Sequence, residues 1–278
     1  MLPGDVAAAL PGGRKVREVE RIKHGLTNES WLVSTDQDVL VVRMSNTSEE
    51  SLQINRASEA LILGAVADAG IGPEVLLCDP ARHLLVTSYM GPTWSEADAA
   101  FGDNIVRIAA VLRRLHALAP PQGLHSVDLL AVIDGYLQTL DENSVHCAAT
   151  VSAMRIRSRE IASMLQRDSV ARLCHNDVHA LNIVATQDGL RLIDWEYAGL
   201  GERMFDLASI CIYHGYDKAQ RERLLLAYTA VSDRIGMHRL ELACWLFEYI
   251  RDLWTAVREL PAIISSLPSA EPRHPPPP

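Results

Sequence analysis

The amino-acid sequence predicts an α+β fold made of two lobes. Short segments of β-branched and apolar residues, separated by turn residues, fill residues 16–89, as expected for the strands of a small sheet. Helical spacing of apolar residues dominates from Ser95 to Glu259. Gly91 and Pro92 stand between the two regions, and such a pair breaks regular structure. We therefore expect a small, mainly antiparallel sheet followed by a mainly helical lobe.

The length of the chain fits this division. A chain of 278 residues is long enough for about two domains. We expect an N-terminal lobe over 1–90 and a larger C-terminal lobe over 91–267. Segment 268–278 is rich in proline, which cannot form regular helix or sheet, so we expect a disordered, solvated tail there.

Five strands and one helix are predicted in the first lobe. Thr47 and Glu50 have the spacing of a capping box, so the helix is expected to begin near Thr47 and to end at Gly70. The predicted strands are Val16–Ile22, Ser30–Thr35, Val39–Met44, Glu74–Cys78 and Leu84–Ser88. The helix would be inserted between the third and fourth strands.

Five helices and one inserted β-hairpin are predicted in the second lobe. The hairpin is formed by NIVAT and LRLID, which are joined by the turn QDG. The predicted helices run from Ser95 to about Leu118, then over Leu129–Leu140, Ser152–Gln166, Lys218–Arg234 and Leu240–Glu259.

The charge balance argues against one class of function. Lysine and arginine number 26 against 35 for aspartate and glutamate, which gives a formal net charge of −9. A chain this acidic is poorly suited to bind nucleic acid through its phosphates. The charge suits a cationic small molecule, or an anionic one that arrives with a metal ion.

Cysteine usage and the N-terminus predict the compartment. The cysteines form no CxxC pair, so neither a disulfide framework nor a zinc-finger spacing is present; they are Cys78, Cys147, Cys174, Cys211 and Cys244. The N-terminal charges are arranged in the reverse order of a signal peptide, and no apolar run approaches the ~20 residues of a membrane span. We expect a cytoplasmic monomer or homodimer without membrane or nucleic-acid partners.

The segment CHNDVHALNIVATQDGLRLIDWEYAG carries the main chemical signal. A hairpin centred on Asp188 would place Asn182 and Asp194 opposite each other, with Cα atoms about 5 Å apart. An amide oxygen and a carboxylate are hard ligands that suit Mg²⁺. His175 and Asp177 lie in the adjacent loop, where a carboxylate can accept a hydroxyl proton during phosphoryl transfer.

Each of these residues alone also has an ordinary structural explanation. An aspartate or asparagine near a hairpin commonly serves the turn, and a single histidine such as His175 is commonly a hydrogen-bonded core residue. The combined pattern is far less common by chance. It consists of H-x-D-x(4)-N, a turn, and an apolar strand that ends in I-D.

HNDVHALN followed by LIDWEYAG resembles the catalytic and metal-binding segments of the aminoglycoside phosphotransferase and choline/thiamine kinase superfamily. The resemblance implies a bilobal, protein-kinase-like fold that uses ATP and Mg²⁺. It implies that Asp177 is the catalytic base, that Asn182 and Asp194 bind the metal, and that His175 orients the catalytic loop. Asn176 and the pair Trp195-Glu196 differ from protein-kinase motifs, which favours a small-molecule kinase.

The resemblance also implies a nucleotide site in the first lobe. Arg43 would pair with the α- and β-phosphates and be held by Glu59, although the two could also form an ordinary surface ion pair worth less than about 1 kcal/mol. KHGLTNESWLV would cover the phosphates, although alone it could be an ordinary polar turn. The predicted nucleotide contacts are Gly25, Thr27, Asn28 and Ser30 in this turn, and the hinge Ser88, Tyr89 and Met90.

The acceptor is predicted to bind in the helical lobe. Aromatic residues cluster near the acids Glu248 and Asp252, an arrangement that binds cationic amines, although aromatic residues at helical spacing also commonly form core. The acceptor candidates are Trp245, Tyr249, Trp254, Tyr216 and Glu196. Asp206, in FDLAS, matches the aspartate that anchors the catalytic loop in the resembling family.

Several functions are compatible with these residues. The leading prediction is an ATP- and Mg²⁺-dependent kinase that phosphorylates a hydroxyl of a small, cationic acceptor, as choline or thiamine kinases do. An aminoglycoside or amino-sugar phosphotransferase is the alternative within this class. A metallohydrolase would use His175, Asp177 and His179 as ligands. A non-catalytic kinase-like binding module would require the loss of the base or of a metal ligand.

Overall fold

The computed structural model describes residues 10–22, 28–45, 52–167, 169–231 and 233–266. It contains a five-stranded antiparallel sheet and a mainly helical region with an inserted β-hairpin, so the predicted fold class is confirmed. Gly25, Thr27 and the predicted tail over 268–278 lie outside the described residues.

The five-stranded sheet presents two different faces. Its strands are β1 (Val16–Ile22), β2 (Asn28–Thr35), β3 (Val39–Ser45), β4 (Val75–Asp79) and β5 (Leu84–Ser88), in the spatial order β1-β2-β3-β5-β4. Side chains alternate between faces along a strand. Trp31, Val33, Leu40 and Val42 pack on one face in a small core, while Arg43 lies on the other face.

The helix inserted into the sheet begins later than the sequence predicts. Helix α1 covers Arg56–Asp68, and the side chain of Asn55 caps it by accepting from the backbone N–H of Ser58. The predicted start near Thr47 is therefore wrong; Thr47 itself lies outside the described residues. The helix ends as predicted, because Gly70 adopts a left-handed φ of 62° just after it.

In the part of the second region that the structure describes, seven helices make up most of the chain. They are α2 (Glu96–Ala100), α3 (Gly102–His116), α4 (Leu129–Glu142), α5 (Ser152–Arg167), α6 (Arg203–Tyr213), α7 (Lys218–Thr229) and α8 (Arg234–Ser266). The extended backbone of Phe101 divides the first predicted helix into α2 and α3. Ala230 has a left-handed φ of 60°, which ends α7 before the predicted Arg234. Helix α6 was not predicted.

The inserted hairpin has a register that differs by one residue from the prediction. Strand β6 covers Arg172–Cys174, and the hairpin strands are β7 (Ile183–Thr186) and β8 (Gly189–Leu192). Ile183 pairs with Leu192, so Asn182 lies opposite Ile193 and not opposite Asp194. The N–H of Ile193 donates to the carbonyl of Asn182 at 3.0 Å. Strand β9 (Gly199–Gly201) then pairs with β6.

A shared core joins the sheet to the helical region. Ile62 and Val66 of α1 belong to the same buried cluster as Leu112 of α3 and Leu207 of α6, and Leu85 of β5 extends it. The helix of the first lobe is therefore packed against the second lobe. This packing fixes the position of the sheet relative to the hairpin.

The cysteines are free thiols, as the sequence predicts, and three of them are buried. Burial raises the pKa of the Cys174 thiol, so it is protonated at neutral pH. Among the described residues, no helix combines the length and the apolar character that a membrane span requires.

Candidate active site

A cleft of about 1050 Å³ lies between the sheet and the helical region. The sheet face that bears Arg43 forms one wall, and α8 contributes to another. Asp177, Asn182 and Asp194 all line this cleft. The three residues predicted to perform the chemistry are therefore brought into one place.

Asp177 is held as a carboxylate by three neighbours. Tyr213 Oη donates to its Oδ1 at 3.0 Å, Asn182 Nδ2 donates to its Oδ2 at 3.2 Å, and His179 Nε2 lies 3.5 Å from Oδ2. Burial by itself would raise the pKa of Asp177. Its interactions with His179, His175 and Tyr213 outweigh burial and place the pKa below the usual value. Asp177 is therefore ionised at neutral pH.

His175 connects the loop of Asp177 to the strand that leads to Asp194. Its ring Nε2 lies 2.9 Å from the carbonyl oxygen of Ile193, and its Nδ1 accepts from the N–H of Asp177 at 3.3 Å. Burial lowers the pKa of His175, so the ring is neutral and Nε2 carries the proton. The ring also packs against Trp195, with centroids 4.6 Å apart.

Asp206 anchors the loop from the buried side, as the sequence predicts. Its carboxylate accepts from the backbone N–H of His175 at 2.9 Å and of Asn176 at 2.6 Å. His116 Nε2 lies 2.9 Å from the same carboxylate, and its Nδ1 lies 2.7 Å from the Tyr228 hydroxyl. His116 ends the segment LRRLH, and sequence reasoning did not assign it this contact.

Asp194 lies just past the end of β8 in an unusual backbone conformation. Its φ of 63° is left-handed, which is uncommon for a residue with a side chain and is concentrated at functional sites. Arg43 Nη1 lies 3.1 Å from its Oδ1. Burial and the negative charge of Glu196 raise the pKa of Asp194 to about 7, although Arg43 opposes the rise.

Asn182 and Asp194 have the donor chemistry of a Mg²⁺ site. The amide nitrogen of Asn182 donates to the carbonyl oxygen and to the carboxylate of Asp177. Among the described residues nothing donates to its amide oxygen, which leaves that oxygen for a ligand. An amide oxygen and a carboxylate are ligands that Mg²⁺ prefers. The negative neighbours of Asp194 also favour a cation at this position.

The predicted pair Arg43–Glu59 is present and is buried. The two side chains are 2.7 Å apart, with 10% and 3% of their surfaces exposed, so the interpretation as a surface pair is wrong. Arg56 lies 2.8 Å from the same glutamate. Sequence reasoning missed Arg56, although an arginine three residues before Glu59 on a helix lies on the same face.

Glu196 lines the cleft beside the sheet and helix α1. It is 4% exposed. Arg56 lies 3.1 Å from its carboxylate, and Asn28 Nδ2 donates to it at 2.8 Å. The glutamate is bound by residues of α1 and β2, and these contacts do not by themselves support its predicted role as an acceptor contact. Asn28 also accepts from Ser45, so its side chain supports this network.

The predicted adenine hinge lies at the edge of the cleft. Ser88, Tyr89 and Met90 line the cleft, and so does Ser30, which was predicted to contact the phosphates. The N–H of Tyr89 donates to the carbonyl of Val39, and that of Ser88 donates to Glu74. These two amides are therefore already used in hydrogen bonds at the edge of the sheet. Within the described ranges, no group accepts from the amide of Met90, so this member of the hinge can donate to a ligand.

Three of the predicted acceptor residues lie away from the cleft. Tyr216 is 1% exposed and its hydroxyl donates to the carbonyl of Ala99, so it is a core residue. Tyr249 is also buried, donates to the carbonyl of Ala149 at 2.9 Å, and stacks on Trp245. None of the three lines the cleft. The clustering of Trp245 and Tyr249 in the sequence reflects the packing of α8.

Trp254, like Glu196, is a predicted acceptor residue that lines the cleft. Its Nε1 donates to the hydroxyl of Tyr197 at 2.8 Å. Burial raises the pKa of the Tyr197 hydroxyl far above its usual value, so this group remains protonated. Sequence reasoning missed Tyr213 and Tyr197, because their positions depend on how α6 and the loop after β8 pack.

The geometry does not support the metallohydrolase alternative. Both ring nitrogens of His175 make hydrogen bonds within the protein, to Ile193 and to Asp177. Within the described part of the chain, the grouping of possible ligands is elsewhere, at His116, Cys174 and Asp206. Asp206 there already serves the catalytic loop.

The fold and the cleft together define a class of protein. A buried arginine–glutamate pair on the sheet and helix α1, an aspartate beside an asparagine, and a second aspartate after a hairpin surround one cleft. This is the arrangement of a kinase that acts on small molecules.

The chain belongs to the phosphotransferase enzyme family, whose sequence model matches residues 18–243. Protein LicA of Haemophilus influenzae is 26% identical over 250 residues, which cover 84% of this chain and 72% of that protein. A thiamine kinase of Salmonella paratyphi B is 50% identical over 66 residues, or 24% of this chain and 23% of that enzyme. A choline/ethanolamine kinase family protein from Mesorhizobium loti superposes with a TM-score of 0.73 and 26% identity, covering 95% of this chain and 85% of that one.

Proposed function

We propose that this protein transfers the γ-phosphoryl group of ATP to a hydroxyl of a small organic acceptor, with Mg²⁺ as the metal ion. One observation carries the proposal. The ionised Asp177, the amide oxygen of Asn182 and the carboxylate of Asp194 line one cleft, and Arg43 reaches Asp194 from the sheet. Phosphoryl transfer depends mainly on positioning and on charge stabilisation, and these groups can supply both.

Asp177 is the residue proposed to face the acceptor hydroxyl. Its low pKa keeps it ionised, so it can accept a hydrogen bond from the hydroxyl and then its proton. Tyr213 and Asn182 hold the carboxylate in place by donating to its two oxygens. His175 and Asp206 hold the backbone of the same loop. We therefore assign them positioning roles.

Asn182 and Asp194 are the residues that would hold Mg²⁺, whose charge would neutralise the phosphate oxygens. Arg43 is placed to pair with the α- and β-phosphates, since it lines the cleft and is fixed by Glu59. Met90 is proposed to meet the adenine edge.

The names of the relatives support an amine-containing alcohol as the acceptor, because they include choline, ethanolamine and thiamine kinases. An aminoglycoside or amino sugar is the alternative. The cationic acceptor was predicted partly from Glu248 and Asp252, but these acids are exposed and do not line the cleft. The cytoplasmic location and the monomeric or homodimeric state stay predictions.

The substitution Asp177→Asn tests this proposal. ATP consumption is measured with choline, ethanolamine, thiamine, amino sugars and aminoglycosides as acceptors, and nucleotide binding is measured separately. We expect the variant to lose at least about 100-fold in kcat while it still binds nucleotide. Asp188→Asn is the matched control, because Asp188 lies at the hairpin turn with 84% of its side chain exposed. Full transfer by Asp177→Asn would contradict the assignment.

A further inference from the structure

The acceptor end of the cleft is the part bounded by α8, Tyr213 and Asp177. One face of α8 lines it, since the lining positions recur every three or four residues. These residues are Phe247, Ile250, Arg251, Trp254, Thr255 and Arg258. Among the described residues of α8, two arginines and no acid line the cleft. This wall is therefore aromatic and basic.

Arg251 lies one aromatic ring away from the catalytic carboxylate. Its guanidinium carbon is 5.9 Å from the centroid of the Tyr213 ring. The hydroxyl of that tyrosine donates to Asp177 at 3.0 Å. A small molecule whose hydroxyl meets Asp177 and that extends along the tyrosine ring would bring its other end to Arg251.

Arg258 is also linked through an aromatic ring, that of Trp254, to the loop that holds Asp177. Its guanidinium carbon is 5.0 Å from the Trp254 ring centroid. Trp254 donates to the Tyr197 hydroxyl, and the carbonyl of Tyr197 accepts from the side chain of Asn176, beside Asp177. Two guanidinium groups therefore reach the acceptor end, each stacked on a ring that is tied to the catalytic loop.

The protein compensates the positive charges of these two arginines only weakly. The carboxylates within 4 Å are Glu248, 3.6 Å from Arg251, and Glu259, 3.7 Å from Arg258, and each is 55% exposed. Exposed pairs of this kind contribute little. In the described part of the chain, neither guanidinium donates a hydrogen bond. Their planar donor groups are therefore available to a ligand.

We propose that the acceptor carries an anionic group, a carboxylate or a phosphate, that Arg251 and Arg258 bind. This inference rests on the proposed function. A guanidinium group already lies over one face of each of Tyr213 and Trp254, so a quaternary ammonium would meet two positive charges beside these rings. An amine on the same acceptor remains compatible, since Asp177 and Glu96 also line the cleft. The acceptor class is thus an anionic or zwitterionic alcohol.

Matched pairs of alcohols test the proposal directly. Each pair keeps the hydroxyl and differs by the anionic group: serine against ethanolamine, homoserine against aminopropanol, glycerate against glycerol, and glycerol phosphate against glycerol. The first two pairs also keep the amine, and the last two separate a carboxylate from a phosphate. We expect kcat/KM to be at least about tenfold higher for the anionic member of the preferred pair.

Substitution of the two arginines tests whether the preference for an anionic acceptor arises at α8. Arg251→Gln and Arg258→Gln should each raise the KM of the anionic acceptor about tenfold or more and change kcat much less, because they remove binding shared by substrate and transition state. Arg107→Gln is the matched control, since Arg107 also stacks on a tryptophan, Trp94, at 5.4 Å but does not line the cleft. Thermal melting checks that each variant is folded.

The outcomes separate this inference from the proposed function. Equal use of both members of every productive pair, or unchanged KM values in both α8 variants, would overturn the anionic acceptor and leave the kinase intact. A preference for the amine without the anion would do the same. Failure of every alcohol, with no phosphorylated product and no effect of Asp177→Asn, would count against the proposed function itself.

Discussion

Glu59 shares its carboxylate between two buried arginines, Arg43 and Arg56. Removing one partner from a buried ion pair leaves charge without compensation in a medium of low dielectric constant. We expect Glu59→Gln to lower the free energy of unfolding by about 3 kcal/mol. Thermal or denaturant melting of the purified protein measures this change.

An exposed ion pair on the same sheet provides the control for that measurement. Arg21 and Glu29 are 2.8 Å apart, but 63% and 39% of their side chains are exposed. Glu29→Gln should therefore change stability by less than about 1 kcal/mol. Similar losses in both variants would show that burial does not strengthen the pair at Glu59.

Tyr216 and Trp254 are expected to respond differently to substitution. Tyr216→Phe removes a buried hydrogen bond to Ala99 outside the cleft, so it should lower stability by about 1 kcal/mol and leave the KM of the acceptor unchanged. Trp254→Leu removes a ring that lines the cleft, so it should raise that KM. Steady-state kinetics and melting of both variants check this contrast. A raised KM in Tyr216→Phe would restore it as an acceptor contact.

The residues proposed to perform the chemistry could be predicted from the sequence, because a local motif determines their relative positions. One short loop separates Asp177 from Asn182, and Asp194 follows just after the hairpin that begins beside Asn182, so their proximity follows from the sequence. Trp245 and Tyr249 were misplaced because helical spacing shows which residues share a face but not what that face contacts.

At the scale of elements, two glycines should respond to alanine with opposite signs. Gly64 lies exposed inside α1 with nothing within 4 Å of a Cβ, so Gly64→Ala should stabilise the protein by about 0.5–1 kcal/mol. A Cβ at Gly199 in β9 would lie 2.6 Å from the side chain of Val127 and 3.2 Å from the carbonyl of His125. Gly199→Ala should therefore destabilise by about 1–3 kcal/mol.

Melting temperatures of the two variants measure these effects side by side. Gly64→Ala should melt above the wild type and Gly199→Ala below it. A stabilising Gly199→Ala would mean that β9 can move away from Val127 and His125, in which case its position against β6 would not be fixed as described.

Elements were predictable where the sequence marks both their composition and their ends. The five sheet strands were found to within two residues at each end, because turn residues separate their β-branched and apolar segments. Helix α6 was missed because Met204–Cys211 are all buried, which removes the amphipathic period. Strands β6 and β9 have three residues each, too few for any period. The hairpin register was shifted by one residue, because the turn centre was taken at Asp188 when the paired strands place it half a residue earlier.

At the scale of the whole molecule, the cleft depends on the shared core that joins α1 to the helical region. Arg43 reaches from the sheet to Asp194 beyond the hairpin, so a ligand in the cleft would contact both regions. Nucleotide with Mg²⁺ at 100 times its Kd should stabilise the protein by about 2.7 kcal/mol. Asp194→Asn should abolish most of this stabilisation, and so should chelation of the metal. An unchanged shift in melting temperature would contradict a metal ligand at Asp194.

The central claim is that Asn182 and Asp194 hold the divalent cation beside Asp177. A crystal structure with Mn²⁺ and a non-hydrolysable ATP analogue tests it most directly, because Mn²⁺ is located by its anomalous scattering. We expect one strong peak within ligand distance of the amide oxygen of Asn182 and the carboxylate of Asp194, with Asp177 facing the terminal phosphate. A metal bound at His116, Cys174 and Asp206, or a nucleotide bound without contact to Asp194, would contradict the account.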